Sequence, residues 1–307
     1  MKINLILIFL LLISNWDYAY NPPNTLTSTT KIIILGSGNP NPDPNHQGCS
    51  VAIVVNETPY IIDFGPGLIR QSAAMTPKYG GSIKGLEAEN IKTAFLTHLH
   101  SDHTTGYPDL IFTPWTMGRK EPLEVYGPKG IKDMTKHILD AYKEDIRYRT
   151  EGIEPSNKTG WQVNAHEFEE GVIYTDKNIK VEAFLVEHGT MENAYGFRFT
   201  TPDKIIVLSG DTRPCEKLIK YSARADVLIH EVYSQAGFEK RTGDWKKYHK
   251  QHHTSTIELG EIASKAKPKL VILYHILYWG STEQQLLDEI KTKYEGNVVV
   301  GKDLGVY

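Results

Sequence analysis

Two rhythms of apolar and polar positions run along this chain. Short β-branched runs bounded by Gly, Pro or Asn predict strands at 31–35, 51–55 and 60–63. A helix is predicted at 68–75. The apolar run 91–96 predicts a buried strand that leads straight into a group of histidines. Residues 108–117 predict a short helix, 123–126 a strand stopped by Gly127-Pro128, and 131–142 a helix by its period. The second half repeats this grammar. Strands are predicted at 172–174, 179–186, 195–200, 205–208, 227–229, 270–273 and 298–300. Helices are predicted at 254–266, with Thr254 or His253 near the cap, and at 283–293. Two successive runs of strands with helices between them predict an α/β sandwich, two sheets face to face with helices outside, in one domain spanning 31–307.

Composition narrows this picture. The N-terminus has Lys2 followed by an apolar run at 5–13, too short to span a bilayer as a helix. It predicts a signal peptide over 1–20, with Ala19 near the cut; an uncleaved anchor is the alternative. Export to the periplasm or medium follows, with 21–30 as a Pro-, Asn- and Thr-rich flexible lead-in and no later transmembrane span. Net charge is −3, from 34 basic and 37 acidic residues, which lacks the basic excess of a nucleic-acid binder. The densest basic cluster, Lys246, Lys247 and Lys250, reads as a solvated face. Cys49 and Cys215 are the two cysteines. Export permits a disulfide, but two small buried thiols are favoured.

The chemistry concentrates in Thr97-His98-Leu99-His100-Ser101-Asp102-His103, placed in the loop after the buried strand. Imidazole and carboxylate are donors for zinc and similar divalent ions, and a loop can turn His98 and His100 to one ion, Asp102 and His103 to another. Further donors recur at strand ends: His188, Asp211 within Ser209-Gly210-Asp211-Thr212, the pair His230-Glu231, and His275. Core packing gives no reason for such residues to gather at strand ends.

With these motifs in this order, the chain resembles the metallo-β-lactamase superfamily, whose fold is an αββα sandwich carrying its metals at one edge. The resemblance covers essentially all of 31–307. It implies a hydrolase with two divalent metal ions, zinc foremost. His98, His100 and His188 would hold the first, Asp102, His103 and His275 the second, with Asp211 bridging and Asp102 also orienting the attacking water. Val125-Tyr126-Gly127-Pro128-Lys129-Gly130, His230-Glu231 and His253-Thr254-Ser255 resemble the ribonuclease Z-like branch. There the histidine equivalent to His253 protonates the leaving oxygen and the glutamate equivalent to Glu231 orients it. His137, His166, His249 and His252 lack such support and are read as surface residues.

Within the branch the substrate stays open. True β-lactamases of this fold place a cysteine where this chain has Asp211. Glyoxalase II and lactone hydrolases lack the Glu231 and His253 features. Ribonuclease Z carries a protruding arm between the third metal histidine and the bridging aspartate; here only 22 residues (189–210) lie there. The segments 103–111 and 300–304 resemble exported arylsulfatases of the superfamily. The expectation is therefore an exported enzyme cleaving a sulfate ester or phosphodiester of a small molecule, with nucleic acid not expected as a partner and a homodimer left open. A ribonuclease Z-type endonuclease, or a lactonase or thioesterase of the same fold, is the alternative. The insertion 233–252 is either a wall of the pocket or a plain surface loop.

Overall fold

Strands apolar at every position bury both faces, so they need partners on each side. The computed structural model describes residues 30–307, and the signal and cleavage expectations for 1–29 lie outside the described residues. One sheet contains β1 (Thr30–Gly36), β2 (Ser50–Val55), β3 (Thr58–Ile62), β4 (Thr93–Phe95), β5 (Leu123–Gly127) and β6 (Val163–Glu167), in that spatial order. The other contains β7 (Gly171–Thr175), β8 (Lys180–Leu185), β9 (Tyr195–Thr200), β10 (Ile205–Leu208), β11 (Val227–Tyr233), β12 (Leu270–Leu277) and β13 (Val298–Val300), again each beside the next. Each sheet is mixed: β1, β2 and β3 pair antiparallel and then β3 to β6 parallel, while β7 to β10 pair antiparallel and β10 to β13 parallel.

The period of two sorts side chains between layers. Ile32, Ile34, Val51 and Ile53 meet Val181, Phe197, Phe199 and Ile206 between the sheets. Their neighbours Ile33, Leu35, Ala52 and Val54 face the other way, toward α1 (Leu68–Ala74), α3 (Tyr107–Thr116) and α4 (Ile131–Ala141). Beyond the second sheet lie α6 (Glu216–Ser222), α9 (Thr256–Ala266) and α10 (Glu283–Lys291). The result is the expected αββα sandwich. The remaining helices are α2 (Ser101–Thr104), α5 (Lys143–Glu151), α7 (Gln235–Glu239) and α8 (Gly243–His252).

Three details hold the frame near the site. The C-terminal residues pair along β1, with the Leu304 amide donating to the Ile34 carbonyl at 2.7 Å and Tyr307 exchanging bonds with Ile32; this covers a sheet edge. Asp303 accepts from the Ser37 amide (2.8 Å), the Ser37 hydroxyl (2.7 Å) and the Gln47 amide (2.7 Å), closing the neck of the 37–47 loop. Arg119 is fully buried and, among the described residues, has no carboxylate ion-pair partner; its guanidinium donates to the carbonyls of Ile91, Leu110, Ile111 and Gly160.

Several boundaries differ from expectation. The 253–256 region divides differently: α9 starts at Thr256 behind a capping box of Ser255 and Glu258, and His253 instead ends α8. The polar β6 carries too little apolar alternation to read as a strand, because it is a half-exposed edge. Thr30 belongs to β1 and not to a lead-in; its hydroxyl donates to Thr201 at 2.9 Å. Cys49 and Cys215 are both free and buried. Among the described residues no helix is long and apolar enough to cross a membrane.

Candidate metal centre

Loops at one edge of the sandwich bring the predicted donors together. His98 and His100 follow β4, and Asp102 and His103 lie on the single turn of α2 that the loop folds into. His188 follows β8, and Asp211 follows β10. Gly210 makes the approach to Asp211 possible: at φ 60° an added Cβ would sit 2.5 Å from the Tyr195 carbonyl oxygen. His230, Glu231 and His275 lie inside strands longer than predicted, not at their ends. His275 is the extra residue of a bulge, since Glu231 pairs with Tyr274 and Val232 with Ile276. Its φ of 47° is costly for a side-chain-bearing residue, and the bulge turns its ring to the edge where the other donors meet.

The donors form two adjoining groups. His100 Nδ1 lies 3.0 Å from His98 Nε2 and 3.1 Å from His188 Nε2, with Asp211 Oδ2 3.8 Å from His98 Nε2. Asp102 Oδ2 lies 3.0 Å from His275 Nε2 and 3.4 Å from His103 Nε2. Asp211 reaches into this second group as well, at 3.5 Å from His103 Nε2 and from His275 Nε2. The first-group residues and the second-group residues each converge closely enough to share one ion.

Tautomers follow from fixed acceptors. The carbonyl of His252 can only accept, so His188 donates from Nδ1 at 2.8 Å and keeps a lone pair on Nε2. Asp63 does the same for His103, accepting from Nδ1 at 2.9 Å. Asp63 also accepts from the Thr97 amide (2.8 Å) and hydroxyl (2.9 Å). With its proton given to Asp63, the Thr97 oxygen accepts from His98 Nδ1 at 3.0 Å, which leaves His98 Nε2 unprotonated. Asp63 was not among the predicted site residues. Its signal was present: a buried aspartate directly after an apolar strand, here at φ 59°.

Charge and burial ask for cations here. Burial holds His98 and His100 below the usual imidazole range and His188 down to about 4, so these rings are neutral donors. Burial opposes a charge on His103 too, but Asp102, Asp211 and Asp63 together hold it well above the usual range. Against the upward push of burial, His103 and His275 hold Asp102 down to about 2. Among the described residues, the ion-pair contacts of Asp63, Asp102, Asp211 and Glu231 are to histidines only. His103 Nε2 and Asp211 Oδ1 are buried without a hydrogen-bond partner among the described residues. Converging lone pairs, orphaned atoms and excess buried carboxylate all fit two divalent ions.

His253 and Glu231 flank this centre. His253 Nδ1 lies 3.4 Å from Glu231 Oε1 and 4.0 Å from Asp211 Oδ2. Glu231 Oε1 also accepts from the amides of Thr212 (3.2 Å) and Thr254 (3.0 Å), so it ties the Asp211 turn to the His253 segment. Burial pushes both toward neutrality: Glu231 well up, with help from Asp211, and His253 down to about 4.

The insertion 233–252 is helical, not a loop, and it walls the site. His249, read as a surface residue, is buried, with its ring 4.5 Å from Trp279 and 5.6 Å from His253. His252 is half-buried against Gly189, 5.2 Å from the His188 ring. His166 stacks on Tyr126 and contacts Glu124 away from the centre, and His137 is exposed, as expected. A cavity of about 490 Å³ opens beside Asp102, between the 37–47 loop, Gly67 and Ser101. The two arylsulfatase-like segments have structural work: Asp303 closes the loop that borders this cavity, while the Gly106 amide bonds to the Phe64 carbonyl and pins α2 to the end of β3.

The sequence profile described as "Beta-lactamase superfamily domain" matches residues 58–276. A ribonuclease Z from Mycobacterium bovis BCG is 27% identical over 279 residues, covering 89% of this chain and 96% of that protein. One from Mycobacterium sp. strain KMS is 30% identical over 250 residues, covering 80% and 84%. Among solved structures, the metallo-β-lactamase fold protein YhfI from Bacillus subtilis superposes with a TM-score of 0.69 at 20% identity, covering 91% of this chain and 98% of that one.

Proposed function

Because the chain belongs to the beta-lactamase superfamily and is a metal-dependent hydrolase of that fold, we propose that it is a binuclear phosphodiesterase of ribonuclease Z type. The observation that carries this reading is His253, beside Asp211 and Glu231: it converges with Asp211 and His275 but is not needed to complete either donor group. That arrangement suits protonation of a departing alkoxide, the difficult half of diester cleavage. The ribonuclease Z relatives support a phosphodiester over a sulfate ester.

His98, His100 and His188 would hold one ion, Asp102, His103 and His275 the other, with Asp211 between them; the donor set suits zinc. When bound, the ions supply Lewis acidity at phosphorus and lower the pKa of the attacking water. The protein does the rest. Asp63 keeps lone pairs on His98 and His103 aimed inward. Glu231 Oε1, 3.4 Å from His253 Nδ1, would orient the imidazole for the leaving oxygen. An anionic phosphoryl group beside His253 raises its proton affinity from the low resting value, so the ring takes up its proton as substrate binds.

The substrate expectation shifts with this reading from a small ester toward RNA. The 22 residues between His188 and Asp211 form β9, β10 and a tight turn, so no arm leaves the body there and a polynucleotide would be gripped elsewhere. The test is a substrate panel on zinc-loaded protein: bis(4-nitrophenyl) phosphate, a 3′-extended transfer RNA precursor, 4-nitrophenyl sulfate and a simple lactone. Cleavage of the two phosphodiesters is expected; turnover of the sulfate or lactone alone would overturn the reading.

A further inference from the structure

The sequence of α8 makes two stripes on one helix. At 100° per residue, Trp245, Tyr248, His249 and His252 share a face, and Lys247 and Lys250 lie on the opposite one. The aromatic face is turned to the metal centre. His249 is buried between Trp245, Trp279 and His253. His252 packs on Gly189, whose added Cβ would meet the His252 ring at 1.8 Å, and its carbonyl holds His188. The Tyr248 ring stacks on His252 at 4.1 Å and 20° and lies 6.1 Å from the His253 ring.

Two rings of this stripe are not used up by packing. Trp245 is 51% exposed and Tyr248 36%, although both neighbour the most buried part of the site. They meet edge to face with centroids 5.7 Å apart, leaving a rigid aromatic step at the mouth. Burial raises the Tyr248 hydroxyl, and Asp211, Asp102 and Glu231 add to this, which agrees with its place beside the donors. Exposed aromatic rings beside a catalytic centre are what the bases of single-stranded nucleic acids and nucleotides stack on.

We propose that α8 is a nucleotide-recognition helix, with Tyr248 and Trp245 stacking the base on the leaving half of the substrate. The side follows from His253, which serves the leaving oxygen and lies next to Tyr248. This inference rests on the phosphodiesterase reading and gives the substrate class: a diester whose leaving half carries a planar ring. It also supplies a grip on a polynucleotide that β9 and β10 do not.

The test is equilibrium binding to zinc-loaded protein, followed by calorimetry and by quenching of tryptophan fluorescence. Adenosine 5′-monophosphate holds the phosphorus and the leaving nucleoside in one molecule; ribose 5-phosphate lacks only the base. The wild type should bind the nucleotide about tenfold more tightly or better, the usual scale of base stacking. Tyr248→Ala should abolish that advantage while leaving ribose 5-phosphate unchanged, Tyr248→Phe should restore it, and Trp245→Phe should remove most of the quenching. Equal binding of the two ligands by the wild type, no binding of either, or an undiminished advantage in Tyr248→Ala would overturn the proposal. Bis(4-nitrophenyl) phosphate separates this from the parent reading. Diester hydrolysis with no base preference sinks only the helix assignment, and a base preference without diester hydrolysis sinks only the activity.

Discussion

Asp63→Asn isolates one job of one residue. Asparagine keeps the shape, and it tolerates the left-handed backbone at φ 59° that alanine would strain. Its carbonyl can occupy the Oδ1 position and still accept from the Thr97 amide and hydroxyl. The reverse placement would set two donors face to face at the Thr97 amide. The new NH₂ group then takes the place of Oδ2 and donates to His103 Nδ1, where the carboxylate accepts at 2.9 Å. The His103 proton must move to Nε2, which faces Asp102 at 3.4 Å and Asp211 at 3.5 Å, and the inward lone pair is lost. His98 is spared, because Thr97 still passes its proton to the retained carbonyl. Loss of such an outer partner costs roughly 10–100-fold in metal affinity, about 1.4–2.7 kcal/mol. Chelator competition on the zinc-loaded variant should therefore show one dissociation constant weakened by that factor and the other nearly unchanged. Two unchanged constants, or two weakened equally, would refute the tautomer account.

Other consequences follow from single groups. Arg119→Met leaves four buried carbonyls without their charged donor and should cost about 3–5 kcal/mol in urea unfolding, with zinc stoichiometry intact. His230 is fully buried and held by burial down to about 4 from 6.5, so the unfolded chain takes up its proton first as pH falls. Stability of the zinc-free protein is thus full above pH 6.5 and drains away toward pH 4, by up to about 3 kcal/mol from this group; His230→Gln should flatten that pH slope in urea melts. His253→Ala should keep both ions and slow diesters with poor leaving groups by roughly a hundred-fold or more, while nitrophenyl esters suffer little. Equal losses across leaving groups would show that His253 binds substrate oxygens instead.

Much of this was legible in the chain because burial on both sheet faces leaves continuous apolar runs. β1, β2, β9 and β10 emerged within one or two residues of their observed limits, and the donors that follow β4, β8 and β10 stood out at strand ends. The rest depended on contacts distant in sequence. β6 is an edge strand with polar residues, so periodicity could not mark it. His275 reaches the centre through a bulge and a positive φ, which no local pattern announces. Asp63 looked like a strand terminus because its partners, Thr97 and His103, lie far along the chain. His249 sits in a polar, lysine-rich stretch, and only the fold shows Trp279 closing over it.

The rate of bis(4-nitrophenyl) phosphate hydrolysis by metal-free protein, followed as zinc is added stepwise, tests the paired centre and its diester chemistry together. The donor arrangement predicts activity that rises to a plateau at two equivalents per chain and stays near background at every step in Asp211→Ala, whose carboxylate adjoins both groups. A plateau at one equivalent, full activity in Asp211→Ala, or no diester hydrolysis at any zinc level would contradict it.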